Sequence, residues 1–215
     1  MTTTPTSAWL PLVKAYCPDV PDPVASGMIR LAVTELCERT KCWRHAVTVD
    51  LTEQNQAVVA PDYAAIHQIE TAMLDGTELQ PTQYTTLATD PEREGAARYI
   101  TQINPNTVAV IPFQAGTLEL TVFLKPLHGE DFHPGGVAQQ DNAYDVAPTF
   151  MFQTMAEPIT HGALARIMNI PGQRFTNPQS AQDYRMRFEA YCQSHFAHAI
   201  RGQQRARIRT KYNPF

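Results

Sequence analysis

Asp22-Pro23-Val24-Ala25-Ser26-Gly27-Met28-Ile29-Arg30-Leu31-Ala32-Val33-Thr34-Glu35-Leu36-Cys37-Glu38-Arg39-Thr40 sets the first anchor of the fold. An aspartate at a helix start can accept hydrogen bonds from the exposed amides, and proline tolerates the first helical position because its missing N–H has no role there. Val24, Met28 and Leu31 fall on one face with Ala25, Ile29, Ala32 and Leu36, while Ser26, Arg30, Thr34 and Glu38 return every four residues as a polar stripe. The spacing predicts an amphipathic helix over 23–40.

A matching signal stands near the other end. Asn177-Pro178 repeats the cap-and-proline start, Ala181, Tyr184, Phe188, Cys192, His195 and Ala199 share a face, Asp183 and Arg187 can pair along the outside, and Gly202 suits a helix end. A helix is predicted over 178–201. Before it, Phe152, Ala156, Ile159, Ala163, Ile167 and Ile170 recur at spacings of three and four between Pro148 and Pro171-Gly172. Pro158 inside that run predicts a kink or break there.

Between the helical ends, residues 45–126 change character. Ala46 to Leu51, Tyr99 to Ile103, Thr107 to Phe113 and Thr117 to Leu124 alternate or carry β-branched residues. Asn104-Pro105-Asn106 and Gln114-Ala115-Gly116 separate the last three, which predicts an antiparallel meander. His67 to Leu74, followed by Asp75-Gly76, reads as a strand ending in a hairpin turn. Residues 127–147, with Gly129, Pro134, Gly135 and Gly136, read as a long surface loop. The expected fold class is α+β: a helical bundle from segments 1–44 and 148–202, a β-rich antiparallel insertion over 45–147 carrying the loop, and an extended basic tail over 203–215.

Length and composition support one sizeable core: 215 residues, 43% of them apolar, with a low charged fraction of 18%. No apolar run approaches the ~20 residues that cross a bilayer. The polar start, Met1 to Ser7, lacks the pattern of a secretion signal, so Cys17, Cys37, Cys42 and Cys192 are expected as reduced thiols in cytoplasm. The net charge of −4 hides an asymmetry: residues 161–215 hold nine Arg/Lys and two Asp/Glu, and the preceding 160 hold eight and nineteen. An acidic body with a basic end favours head-to-tail contact between unlike surfaces.

Catalytic signals are few. His128, Glu130, Asp131 and His133 gather four metal-ligand types within six residues, but in no established ligand spacing, so a metal site competes with a solvated loop. Cys37 and Cys42 lie five apart without a second pair, and buried thiols are the ordinary reading. His195 and His198 sit one turn apart, with His195 on the apolar face. Asp90-Pro91-Glu92-Arg93-Glu94-Gly95 reads as a solvated turn. Neither a nucleophile elbow nor a phosphate-binding glycine loop occurs. No catalytic residue, resident metal or cofactor is expected. The basic tail could contact phosphates, but it has few interleaved aromatics and the body is acidic, so an acidic protein groove is the favoured partner.

Two stretches carry a family resemblance. Cys17-Pro18-Asp19-Val20-Pro21-Asp22-Pro23, with Ile29 to Thr40 and Trp43-Arg44, resembles the opening of head-to-tail adaptor proteins of tailed bacteriophages. Gly162 to Met168, Pro171-Gly172, Asn177-Pro178 and Tyr184 to Glu189 resemble the closing helix pair of the same family. The resemblance implies a structural ring, usually of twelve copies, beneath the portal of the DNA-filled head, with tail tube, nozzle or tail-fibre protein on its other face. Double-stranded DNA would pass through the lumen without specific binding. It also implies residence at the virion's head–tail junction after assembly in the host cytoplasm, and a C-terminal segment reaching the portal. That segment would offer Arg205, Arg207, Arg209, Lys211, Tyr212 and Phe215, while Asp22, Pro23, Asn177 and Pro178 would serve only as helix caps. A small metal-dependent enzyme built on His128–His133, or another tail-completion protein, remains the alternative.

Overall fold

The computed structural model describes residues 2–52, 56–83, 95–127 and 145–201, with side-chain surroundings through 196. The chain is α+β, with four α-helices and three small sheets among the described residues. Strand β1 (Thr3–Pro5), a short 3-10 turn and α1 (Leu10–Lys14) lead into α2 (Asp22–Thr40). Strands β2 (Arg44–Leu51), β3 (Gln56–Val58), β4 (Ala64–Leu74), β5 (Thr77–Glu78), β6 (Gln80–Pro81), β7 (Tyr99–Asn104), β8 (Thr107–Ile111) and β9 (Gly116–Pro126) follow. Strand β10 (Val146–Pro148) then runs into α3 (Thr149–Ile167) and α4 (Pro178–Arg201).

Helix α2 forms because a proline-led start is followed by apolar residues at three-and-four spacing that it can bury on one side, and it stops where Lys41 turns left-handed at φ 52° and returns its N–H to the Cys37 carbonyl. Ala25, Ile29, Ala32, Val33, Leu36 and Cys37 are fully buried against α3 and α4. Leu31, expected on that face, is 54% exposed: its position rotates past the edge of the buried stripe. The helices approach closely at Gly162 of α3, where a Cβ would meet the Phe188 ring at 2.9 Å and Ala32 at 3.1 Å. Pro158 does disturb α3, but the backbone departs from helical geometry three residues earlier, at Met155 (φ −128°, ψ 18°). A proline lacks the N–H and its ring crowds the carbonyl four residues back, so the distortion falls in the preceding turn.

One sheet runs β2-β9-β4-β5 and another β3-β8-β7-β6. Asp75 (φ 49°) and Gly76 (φ 79°) make the two-residue turn between β4 and β5, a conformation that favours glycine. The β7–β8 hairpin forms at Asn104-Pro105-Asn106, but the expected meander ends there. β9 crosses to the other sheet and pairs with β2 from Arg44↔Phe123 to Leu51↔Gly116 and with β4 on its far side. The reason is that β8 already has β3 and β7 on its two edges and all five residues buried, leaving no ladder for β9. The apolar residues of both sheets and of the helices form one continuous cluster, including Trp43, Leu120, Leu124, Ile100 and Val110.

The loop expected over 127–147 ends sooner than predicted. Its last residues form β10, which pairs with the N-terminal β1 from Thr3↔Pro148 to Pro5↔Val146. The strand then delivers Trp9, fully buried and edge-on to Phe152 at 4.9 Å between centroids, into the helical core.

Candidate interaction surfaces

The polar stripe of α2 is half-buried, and its charges are paired. Arg30 bonds Asp145 just before β10, Glu38 bonds Lys125 of β9 at 2.7 Å, and Glu35 gathers arginines from its own and both neighbouring helices. Glu35 Oε2 accepts from Arg166, Oε1 accepts from Arg185 Nη2 at 2.9 Å, and Arg39 Nη1 lies 3.2 Å from Oε1. Arg185 also donates from Nε to Glu189 at 2.7 Å. Burial alone would raise the Glu35 pKa, but the guanidinium hydrogen bonds of Arg185 and Arg166 outweigh it and hold the carboxyl below its usual range. These charges clamp α2, α3 and α4 together, so the surfaces left for partners lie elsewhere.

Two outward surfaces differ in kind. At the α1–α4 corner, Leu12 and Tyr16 are exposed, Tyr16 meets Tyr184 edge-on at 6.0 Å, His161 stacks on Tyr184 at 5.4 Å, and Arg187 lies over that ring at 5.9 Å. Aromatic side chains and arginine are the types that carry binding energy at interfaces. Burial lowers the His161 pKa, Glu157 working against it and Arg187 with it, so the imidazole is neutral near pH 7.

The second surface is the solvent side of the β2-β9-β4-β5 sheet. Alternation along β2 and β9 turns Val47, Val49, Leu118, Leu120 and Val122 inward and Ala46, Thr48, Asp50, Thr117, Glu119 and Thr121 outward. Thr71, Met73 and Glu70 of β4 and Glu78 of β5 extend it. Its carboxylates are Asp50, Glu70, Glu78 and Glu119, and its cation is Arg44, bonded to Glu70 at 2.6 Å. Small side chains leave a trough of about 340 Å³ between Thr48, Thr71, Glu119 and Thr121. Sequence reasoning identified these strands without singling out their outward residues; the alternation of Thr48-Val49-Asp50 and Thr117-Leu118-Glu119 was the available signal.

The residues singled out from sequence fare unequally. Asp22 is the first helical residue, with Pro21 in the flanking position, and its carboxylate pairs with Lys14 rather than with helix amides. The cause is a one-residue shift: Pro23 occupies the second helical position, not the first. Asn177 Oδ1 accepts from the Ser180 N–H at 3.1 Å where α4 begins at Pro178. Arg205, Arg207, Arg209, Lys211, Tyr212 and Phe215 lie outside the described residues, as do His128, Glu130, Asp131, His133 and the side chain of His198. Among the described residues, no group of three or more His, Cys, Asp or Glu could hold a metal ion. Cys37 is buried, and burial pushes its thiol up; the hydrogen bond it donates holds the half-buried Cys42 thiol below its ordinary value. Burial likewise raises Cys192 to about 11. His195 stacks on Tyr191 at 4.3 Å. Among the described residues, no helix is long and apolar enough to cross a membrane.

Among known proteins, the family model described as SU10 adaptor protein matches residues 6–211. No curated protein matches the chain.

Proposed function

Because the chain belongs to the SU10 adaptor family, a family of structural, non-enzymatic head-to-tail adaptors of bacteriophages, we propose that copies of it close into a ring of twelve beneath the portal and continue the DNA channel toward the tail. The observation that carries this reading is the extent of the match, which takes in the helical frame, the β region between and most of the basic end. The two unlike outward surfaces support it. A closed ring needs a patch that meets a different patch on the next copy, and an aromatic corner on the helices together with an acidic sheet face on the strands meets that need. Carboxylates of the acidic body outside that contact, turned toward a lumen, would repel passing DNA rather than trap it.

In this reading segments 1–44 and 148–202 form the docking frame and 45–147 the insertion that faces tail tube, nozzle or fibre protein. Residues 203–215 reach the portal through Arg205, Arg207, Arg209, Lys211, Tyr212 and Phe215. Assembly takes place in the host cytoplasm, and the finished subunit resides at the virion's head–tail junction. The test is the mass of the purified protein, alone and then mixed with portal rings. The expected result is a stoichiometric ring on the portal, lost when residues 203–215 are removed although thermal unfolding is unchanged. A stable monomer that ignores both portal and tail proteins would refute the reading.

A further inference from the structure

We propose that the outer edge of β2 holds the chain's own basic C-terminal segment as an added strand before the portal takes it. Three independent features meet at this edge.

The first is the edge itself. Among the described residues β2 ends its sheet, paired with β9 alone, and His45, Val47 and Val49 on its inner face are only half-buried although their neighbours on β9 are fully so. On the outer face stand Asp50 and Glu119, with Thr48, Glu119, Met73 and Glu78 forming one cross-strand row. An eight-residue edge with a half-covered apolar side and an acidic side is a template for a strand of matching character.

The second is the pattern of the segment. In Arg205-Ala206-Arg207-Ile208-Arg209-Thr210-Lys211 the cations return at every second position. An extended chain therefore places all four on one side, repeating at about 6.6 Å, and Ala206, Ile208 and Thr210 on the other. Added to β2, it would set the cations level with Asp50 and Glu119, and the uncharged residues beside His45, Val47 and Val49.

The third is where α4 ends. Lys41 Nζ lies 5.7 Å from the Phe123 ring and 5.8 Å from that of Phe196, and Arg44 covers Phe123 at 5.2 Å. Phe123 is the partner of Arg44 at the start of β2. Phe196, five residues before the last residue of α4, thus lies near the first residues of the edge. The thirteen residues after Gly202 span up to about 43 Å when extended, against about 26 Å for β2. The segment reaches the whole edge with residues to spare. That the portal later competes for the same cations rests on the reading above; occupancy of the edge in the free subunit does not.

Zero-length carbodiimide coupling of the full chain tests this, because Lys211 is the one lysine beyond Lys125. At about 0.02 M salt the expected products are intrachain Lys211–Asp50 and Lys211–Glu119 links, falling at least about tenfold at about 0.5 M salt, where screening is within ~5 Å. Ile208→Pro retains every charge but removes a strand N–H, and should cut the yield several-fold. Asp50→Asn with Glu119→Gln should speed tryptic cleavage at Arg205, Arg207 and Arg209 by roughly threefold or more. Absence of both links, links confined to covalent dimers, or an Ile208→Pro chain that couples as before would each overturn the proposal. No arm contains portal, so failure here leaves the portal contact to be judged by its own experiment.

Discussion

Replacing Gly162 by alanine sets two effects of similar size against each other. In an open helix the change would stabilise, since glycine is about 1 kcal/mol worse than alanine in a helix interior. Here the new methyl carbon would stand 2.9 Å from Phe188 Cδ2 and Cε2 and 3.1 Å from Ala32 Cβ, whereas carbon atoms rest at about 3.5–4.0 Å. Phe188 and Ala32 are both fully buried, so neither can swing into solvent. Relief requires α3 to move away from α2 or α4 by half an ångström or more, roughly the shortfall in those contacts. That movement also stretches the Arg166–Glu35–Arg185 clamp between the same helices. Overpacking of this kind costs about 1–3 kcal/mol, occasionally more, and the clamp tips the balance. We expect Gly162→Ala to lose about 1–2 kcal/mol net, or roughly 3–7 °C in Tm for a chain of this size. Urea unfolding measures it, with an unchanged m-value as the control. Phe188→Leu, destabilising alone, should cost at least about 1 kcal/mol less in the Gly162→Ala background, because the two changes share one space. An alanine variant as stable as the parent, or more so, would refute the close-approach argument.

Glu35→Gln removes the charge shared by Arg39, Arg166 and Arg185 while keeping the shape; between exposed pairs at ~0–1 and buried ones at ~3–5 kcal/mol, we expect a loss of about 2 kcal/mol in urea unfolding. Trp9→Ala should cost about 3–5 kcal/mol, but Trp9→Phe much less than its loss of volume suggests, because the buried indole N–H has no hydrogen-bond partner among the described residues; thermal melts of the two variants decide it. Acidification should lower stability in two steps. Burial depresses the pKa of His45, His67 and His161, so the folded state binds their protons less well than the unfolded chain, and stability falls as pH drops below 6.5. Glu35, depressed by its arginines, keeps its contribution above 4.5 and loses it as pH falls through its lower folded value. Unfolding followed from pH 8 to pH 3 should lack the second step in Glu35→Gln.

The helices were legible because their signals are local. A proline-led start, a three-and-four spacing of apolar residues and a stop are contained within one segment, and α2 and α4 follow them to within a residue. The β7–β8 hairpin was legible for the same reason, its turn being written in three consecutive residues. The strand β1 was not, since Thr3-Thr4-Pro5 has neither alternation nor apolar content and becomes a strand only because β10 lies beside it.

The sequence by itself thus determined the mixed class, the placement of the long helices and the alternation that gives each strand an inner and an outer side. It also determined the two-residue repeat of cations near the C-terminus. Only the tertiary structure decided that β9 leaves β8 for β2 and β4, that Glu35 of α2 is the centre of a clamp between three helices, and that Lys41 brings Phe196 of α4 to Phe123 at the start of β2. Periodicity fixes which side of an element is apolar, because that depends on backbone geometry a few residues long. Which element meets it is settled by the competition of distant segments for the same edges and the same core, and that energy belongs to the folded chain as a whole.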